Sequence, residues 1–192
     1  MIQSKSDYLH YLKEDQKALG IVNDSFVDNR NPYHIDREIW LFQKALRRCE
    51  YYFLPKHKGI IWQIRKLWAA YIFKKRSLQM NFTIPPYVFG PGLRIAHRGT
   101  IVVHARCRIG SYCTINAGVN IGTKAGFQDL VPKIGHHVYI GPGAKIFGEI
   151  YIPNGCAIGA NAVVCKNVTE ENSILLGIPA IEKGKITRKL QV

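Results

Sequence analysis

Chemistry in this chain can rest on few side chains. Four of its seven histidines, His97, His104, His136 and His137, fall in the half richest in glycine. An imidazole is the side chain best suited to taking up and releasing a proton near neutral pH. His97 stands in the run Ala96-His97-Arg98-Gly99-Thr100. Asn116, whose amide can orient a ligand or tie a turn, follows some twenty residues on. Lys124 and Asp129 lie in one short polar stretch, and Lys166 has the character of a phosphate ligand or a solvated turn lysine. His104, His136 and His137 read as turn and surface residues. The five cysteines form no Cys-x-x-Cys pair and are odd in number, so buried reduced thiols are expected.

The charge has a strong bias. The formal net charge is +14, and no Asp or Glu occurs between Glu50 and Asp129. Such a field attracts anions: nucleic acid, an acidic membrane surface, or a phosphorylated small molecule. No helix-turn-helix, zinc-finger or base-stacking motif accompanies it, so a nucleic-acid partner is not expected. No apolar run is long enough to span a bilayer. The opening MIQSKSDYLHYLKEDQ lacks the apolar core of a signal peptide, so the cytoplasm is the expected compartment.

The elements that must position these residues follow two grammars. Residues 1–80 read as an α-helical N-terminal region. Ser6-Asp7 is placed to cap a first helix, and Asn29, Asn31 and Pro32 mark a break. Residues 36–54 put Ile39, Phe42, Leu46, Cys49 and Phe53 on one helical face. Residues 59–79 give a third helix whose apolar arc is broad and interrupted by Arg65, Lys66, Lys74, Lys75 and Arg76. A core helix with a snorkelling rim is the favoured reading, and an interfacial helix on an anionic membrane is the alternative.

From residue 81 the beat is six. Ile109, Ile115 and Ile121 are followed, after a pause at 122–133, by Ile134, Ile140, Ile146, Ile152, Ile158 and Val164. Ile95 and Ile101 keep the interval but are out of phase by two residues. Neither a helix nor a hairpin meander repeats every six residues. A parallel β-helix does, with one inward aliphatic side chain per side of each triangular coil. The expected class is mainly β, a parallel β-helix over residues 81–192 with a C-terminal tail.

The stretches GPGLRIAHRGTIVV (90–103), INAGVNIGTKAG (115–126), PKIGHHVYIGPGAKIFGEI (132–150), AIGANAVVCKNV (157–168) and GIPA (177–180) resemble the hexapeptide-repeat acyltransferases, and among them the serine O-acetyltransferases. The resemblance implies a left-handed β-helix, a homotrimer, and acetyl-CoA as co-substrate in the groove between subunits. It implies His97 as general base, with no acyl-enzyme and no metal. It maps acetyl-CoA contacts onto Gly141, Pro142, Ala160, Cys165, Lys166, Gly177 and Pro179. By their own chemistry Asn116 is a candidate to orient the acceptor or the thioester, Lys124 to meet an acceptor phosphate, and Asp129 to hold a sugar hydroxyl or orient His97, with a turn or solvated role as the alternative for each. Three places depart from the serine-specific pattern. Ala96 stands where an aspartate precedes the histidine, Leu130-Val131 replace an Arg-His pair, and Phe82 falls where a further aspartate is expected. These departures remove the groups that would hold a zwitterionic amino acid. The expected reaction is therefore O-acetylation of a sugar or glycan, as in the similar proteins of polysaccharide biosynthesis. Serine O-acetylation is the alternative. A three-histidine zinc site of carbonic-anhydrase type and a non-catalytic trimeric scaffold rank lower.

Overall fold

The computed structural model describes residues 1–21 and 35–187, with side chains described from residue 37 in the second stretch. The break expected at Asn29, Asn31 and Pro32 lies outside the described residues. Helix α1 spans Lys5–Ala18. Its cap is Ser4 rather than Ser6-Asp7. The Ser4 hydroxyl accepts from the Asp7 amide at 3.0 Å, and the Asp7 carboxylate accepts from the Ser4 amide at 2.9 Å. Asp7 thus occupies the third helical position of a capping box. The Gln3 amide, with Ser4, holds its carboxyl below the usual value.

Helix α2 spans Ile35–Tyr52. Ile39, Phe42, Leu46 and Cys49 are buried as their spacing requires. Phe53, one residue past the last of α2, is exposed although its amide still donates to the Cys49 carbonyl. A second, polar stripe of α2 is also buried. Gln43 donates to the Leu93 carbonyl at 2.7 Å. Arg47 is fully buried between Asp15 of α1, at 2.8 Å, and Glu50, at 3.1 Å. It also donates to the carbonyls of Phe89 and Gly90. Burial opposes its charge, but Asp15 and Glu50 outweigh that and raise its pKa. The two acids reach onward: Asp15 accepts from the Leu93 amide and Glu50 from the Tyr87 amide. One cation and two carboxylates therefore fasten α1 and α2 to the first turn of the strand region. Helix α3 spans Ile60–Met80 and ends on Asn81 in the left-handed conformation.

Strands begin at Phe82 and wind into three parallel sheets. One holds β1 (Phe82–Thr83), β3 (Ile101–Val103), β6 (Asn120–Gly122), β9 (Lys145–Phe147) and β12 (Val163–Val164). The second holds β4 (Arg108–Ile109), β7 (Lys133–Ile134) and β10 (Tyr151–Ile152). The third holds β2 (Arg94–Ile95), β5 (Thr114–Ile115), β8 (Tyr139–Ile140), β11 (Ala157–Ile158) and β13 (Ser173–Gly177), closed by antiparallel β14 (Ala180–Lys185).

The chain visits the three sheets in rotation, which is a triangular β-helix. The nine aliphatic residues of the six-residue beat are all buried and stack directly between coils: Ile109 on Ile134, Ile115 on Ile140, Ile121 on Ile146, and onward to Ile152, Ile158 and Val164. The core is continuous with the helices, since Phe42 meets Phe82 edge-on at 5.0 Å. Burial lifts the Cys107 and Cys113 thiols to about 11 and about 12, so they are inert filling.

Close stacking makes some corners intolerant of any side chain. A Cβ on Gly110 would sit 2.5 Å from the carbonyl oxygen of Gly135 in the next coil. Gly110→Ala is expected to cost about 1–3 kcal/mol, read as a lowered urea midpoint. Gly126, in the open loop, has nothing near its missing Cβ but a φ of +86°, so alanine there strains only the loop backbone.

Candidate active site

The corner between β2 and β3 holds His97. Ladder pairs join Ile95 to Ile115 and Val102 to Asn120. Six residues lie between the first members of these pairs and four between the second, so this corner carries two extra residues. Ala96 still donates to the Ile115 carbonyl. Gly99, at φ +134°, lies over Ala117, and a Cβ there would be 3.0 Å from that of Ala117. The extra pair is therefore His97 and Arg98, pushed outward and exposed. This is the physical cause of the two-residue phase slip at Ile95 and Ile101. Among the described residues nothing hydrogen-bonds the His97 imidazole, which leaves both ring nitrogens open for chemistry.

The same corner continues down the later coils. In register below Ala96 come Asn116, Gly141 and Gly159, and the next positions are Pro142 and Ala160. Gly177 and Pro179 carry the edge to its end, where Gly177 and Ala180 close the hairpin of β13 and β14. Five of the residues expected to contact acetyl-CoA thus lie along one edge below His97: Gly141, Pro142, Ala160, Gly177 and Pro179. At about 4.8 Å per coil, the four steps from β2 to β13 cover about 19 Å. Asn116 belongs to this edge, but its side chain is buried and donates to the Ile140 carbonyl at 2.9 Å. Its amide ties one coil to the next.

Other expected residues occupy a second edge, across the five-stranded sheet. Cys165 and Lys166 follow β12, and Lys124 and Asp129 project in the loop after β6, where both are exposed. Asp129 pairs with Arg106 rather than with His97. His104 heads this edge, and its Nδ1 accepts from the Arg106 amide at 3.3 Å. His136 and His137 occupy the third edge. His136 Nδ1 accepts from the Ser111 amide, and His137 stacks on Tyr112 at 5.0 Å. The histidines of the zinc reading therefore stand on three different edges. Among the described residues no three His, Cys, Asp or Glu side chains gather as metal ligands.

A cavity of about 700 Å³ lies where α3 meets the first coil, lined by Lys74, Ser77, Phe82, Thr83, Pro85 and Thr100 among others. Thr100 belongs to the His97 corner. Sequence reasoning did not foresee this cavity, because it needs the C-terminal end of α3 to fold over β1.

Hexapeptide repeats wound through three stacks of parallel strands make this a β-helix protein, left-handed like its structural neighbours. The comparisons narrow this. The serine acetyltransferase of Buchnera aphidicola is 30% identical over 185 residues, 94% of this chain and 64% of that protein. That of Haemophilus influenzae is 33% identical over 150 residues, 74% of this chain and 55% of that protein. The solved serine acetyltransferase of Brucella abortus in complex with coenzyme A superposes with a TM-score of 0.67 at 27% identity, covering 94% of this chain and 69% of that one. No protein-family model matches. The chain belongs to the hexapeptide-repeat acyltransferases, of the serine O-acetyltransferase type. It spans less than two thirds of the length of the two sequence relatives.

Proposed function

We propose that this protein transfers an acetyl group from acetyl-CoA to a hydroxyl, with His97 as general base. The observation that carries this reading is the single edge leading from Gly177 and Pro179 through Ala160, Pro142 and Gly141 to an outward imidazole without a hydrogen bond among the described residues. An elongated thioester can lie along such an edge with its acetyl end at His97. The acceptor hydroxyl gives its proton to the imidazole as its oxygen attacks the thioester carbonyl. A backbone N–H stabilises the oxyanion. The C–S bond then breaks, and the thiolate takes the proton back from the imidazolium. No acyl-enzyme forms.

The names of the relatives support serine as acceptor better than the sugar or glycan expected from the sequence, and nothing in the comparisons supports polysaccharide biosynthesis. One set of observations favours the sugar: Phe82 and Val131 are buried apolar residues, and Ala96 adjoins His97. None of them can pair with an ammonium or a carboxylate. Mass spectrometry of the acetylated product, after incubation with acetyl-CoA and serine, nucleotide sugars or oligosaccharides, decides between them. O-acetylserine as the sole product establishes the serine reading, and an acetylated sugar establishes the other.

A homotrimer in the cytoplasm completes the proposal. Within one chain His97 stands on one edge while Lys124, Asp129, Cys165 and Lys166 stand on another. A neighbouring copy would bring the second edge of one chain toward the first edge of the next. Lys166, exposed at the turn after β12, is suited to a phosphate of the nucleotide. Lys166→Ala is expected to raise KM for acetyl-CoA about fivefold, the effect of losing about 1 kcal/mol at an exposed contact, with kcat unchanged in initial-rate measurements.

A further inference from the structure

The third helix is expected from its sequence to be a core helix, and the structure corrects this. Only Ala69 and Met80 of α3 are buried. At 100° per residue these two lie on one side, with Phe73 between them packing against the core. The opposite side is a ridge of Ile60, Ile64, Leu67, Tyr71 and Leu78, flanked by Ile61 and Trp68. All seven are exposed, Ile60 to 74% and Leu67 to 72%. The ridge runs almost the whole helix, about 27 Å at 1.5 Å per residue. An apolar stripe of this length in water is a contact surface without its contact.

Its charge decoration identifies what it meets. Helix α3 contains no Asp or Glu. Lys74 borders the ridge and Lys75 interrupts its C-terminal part, and both are exposed. Neither has an ion pair among the described residues. A second copy offers such a face little. Two α3 ridges packed in parallel would set Lys74 and Lys75 against their own copies, and the acidic end of the β-helix is already engaged. Glu170 pairs with Lys185, Glu171 with Asn154, and Glu182 with Ser173 and Thr169. A sheet of negative headgroups over an apolar layer satisfies both features at once, with aliphatic and aromatic side chains entering the interface and ammonium groups resting among phosphates. No described helix is long and apolar enough to cross a membrane. We propose that the outward face of α3 docks this protein on a bilayer surface rich in anionic phospholipid, lying parallel to it.

The test is co-sedimentation of the full-length chain with vesicles of phosphatidylcholine alone and of phosphatidylcholine with phosphatidylglycerol. Binding is expected only to the anionic vesicles and should weaken as salt rises. At about fivefold per basic residue near a charged surface, Lys74→Gln with Lys75→Gln should weaken it about thirtyfold. Leu67→Glu with Trp68→Glu should abolish it without lowering the melting temperature, since both side chains face solvent. Equal binding to both vesicle types, or binding unchanged in the variants, would overturn the proposal. So would a wild-type chain that ignores vesicles while Leu67→Glu with Trp68→Glu lowers its mass in solution, for then a second copy covers the face. Thiol release from acetyl-CoA without vesicles is a separate readout, so failure here leaves the proposed reaction standing.

Discussion

Replacing His97 with alanine is expected to lower acetyl transfer by about 10²- to 10⁴-fold, the usual contribution of a positioned general base. The fold should not notice. His97 projects from a two-residue bulge, makes no hydrogen bond among the described residues and is exposed, so truncation removes no packing and leaves no buried group unpaired. The melting temperature of the variant should match that of the wild type, and so should its affinity for coenzyme A, because the proposed donor contacts, from Gly141 to Pro179, lie on coils that do not involve this side chain. Initial rates together with calorimetric binding separate these terms. A loss of less than tenfold, with binding intact, would remove His97 from the chemistry.

The largest expected effect on stability comes from Arg47. Arg47→Ala is expected to cost about 3–5 kcal/mol, the range seen when one partner of a buried ion pair is removed. The cause is what remains rather than what is lost. Asp15 and Glu50 are buried in the same place and would be left with no cation to face them. The carbonyls of Phe89 and Gly90 would also lose their donor. These groups hold α1 and α2 on the first coil, so loosening should begin there. Urea unfolding followed by circular dichroism and by hydrogen exchange in α1 measures both the amount and the place. Arg47→Ala with Asp15→Asn and Glu50→Gln should recover part of the loss, since the orphaned acids are gone. A cost below 1 kcal/mol would mean that water reaches the two acids.

The β-helix was legible because each coil repeats one physical requirement, an inward aliphatic residue on each side, and Ile109 to Val164 state it nine times. The slip around Ile95 was legible as an irregularity, but its cause was not. Only the ladder shows that His97 and Arg98 are surplus to the coil. The edge that gathers Gly141, Pro142, Ala160 and Gly177 below His97 came from family resemblance and could not be derived from a single sequence, since glycine and alanine at corners serve stacking as readily as binding.

The buried polar stripe of α2 left a faint signal. Gln43, Arg47 and Glu50 stand at i, i+4 and i+7 beside an apolar face, a spacing that also suits an exposed flank. Their partners Asp15 and Leu93 are too far away in sequence to suggest burial. Helix α3 misled for a different reason. It is apolar on two opposite faces, so its pattern looks like a core helix, and only the coordinates show which face the core takes.

The proposed reaction stands most directly on release of free CoA thiol from acetyl-CoA. Wild-type protein should release thiol in proportion to an added hydroxyl acceptor, serine or sugar, and His97→Ala should release almost none. No release with any acceptor, from protein that also fails to bind acetyl-CoA, would contradict the acetyltransferase reading and leave the β-helix as a scaffold for assembly.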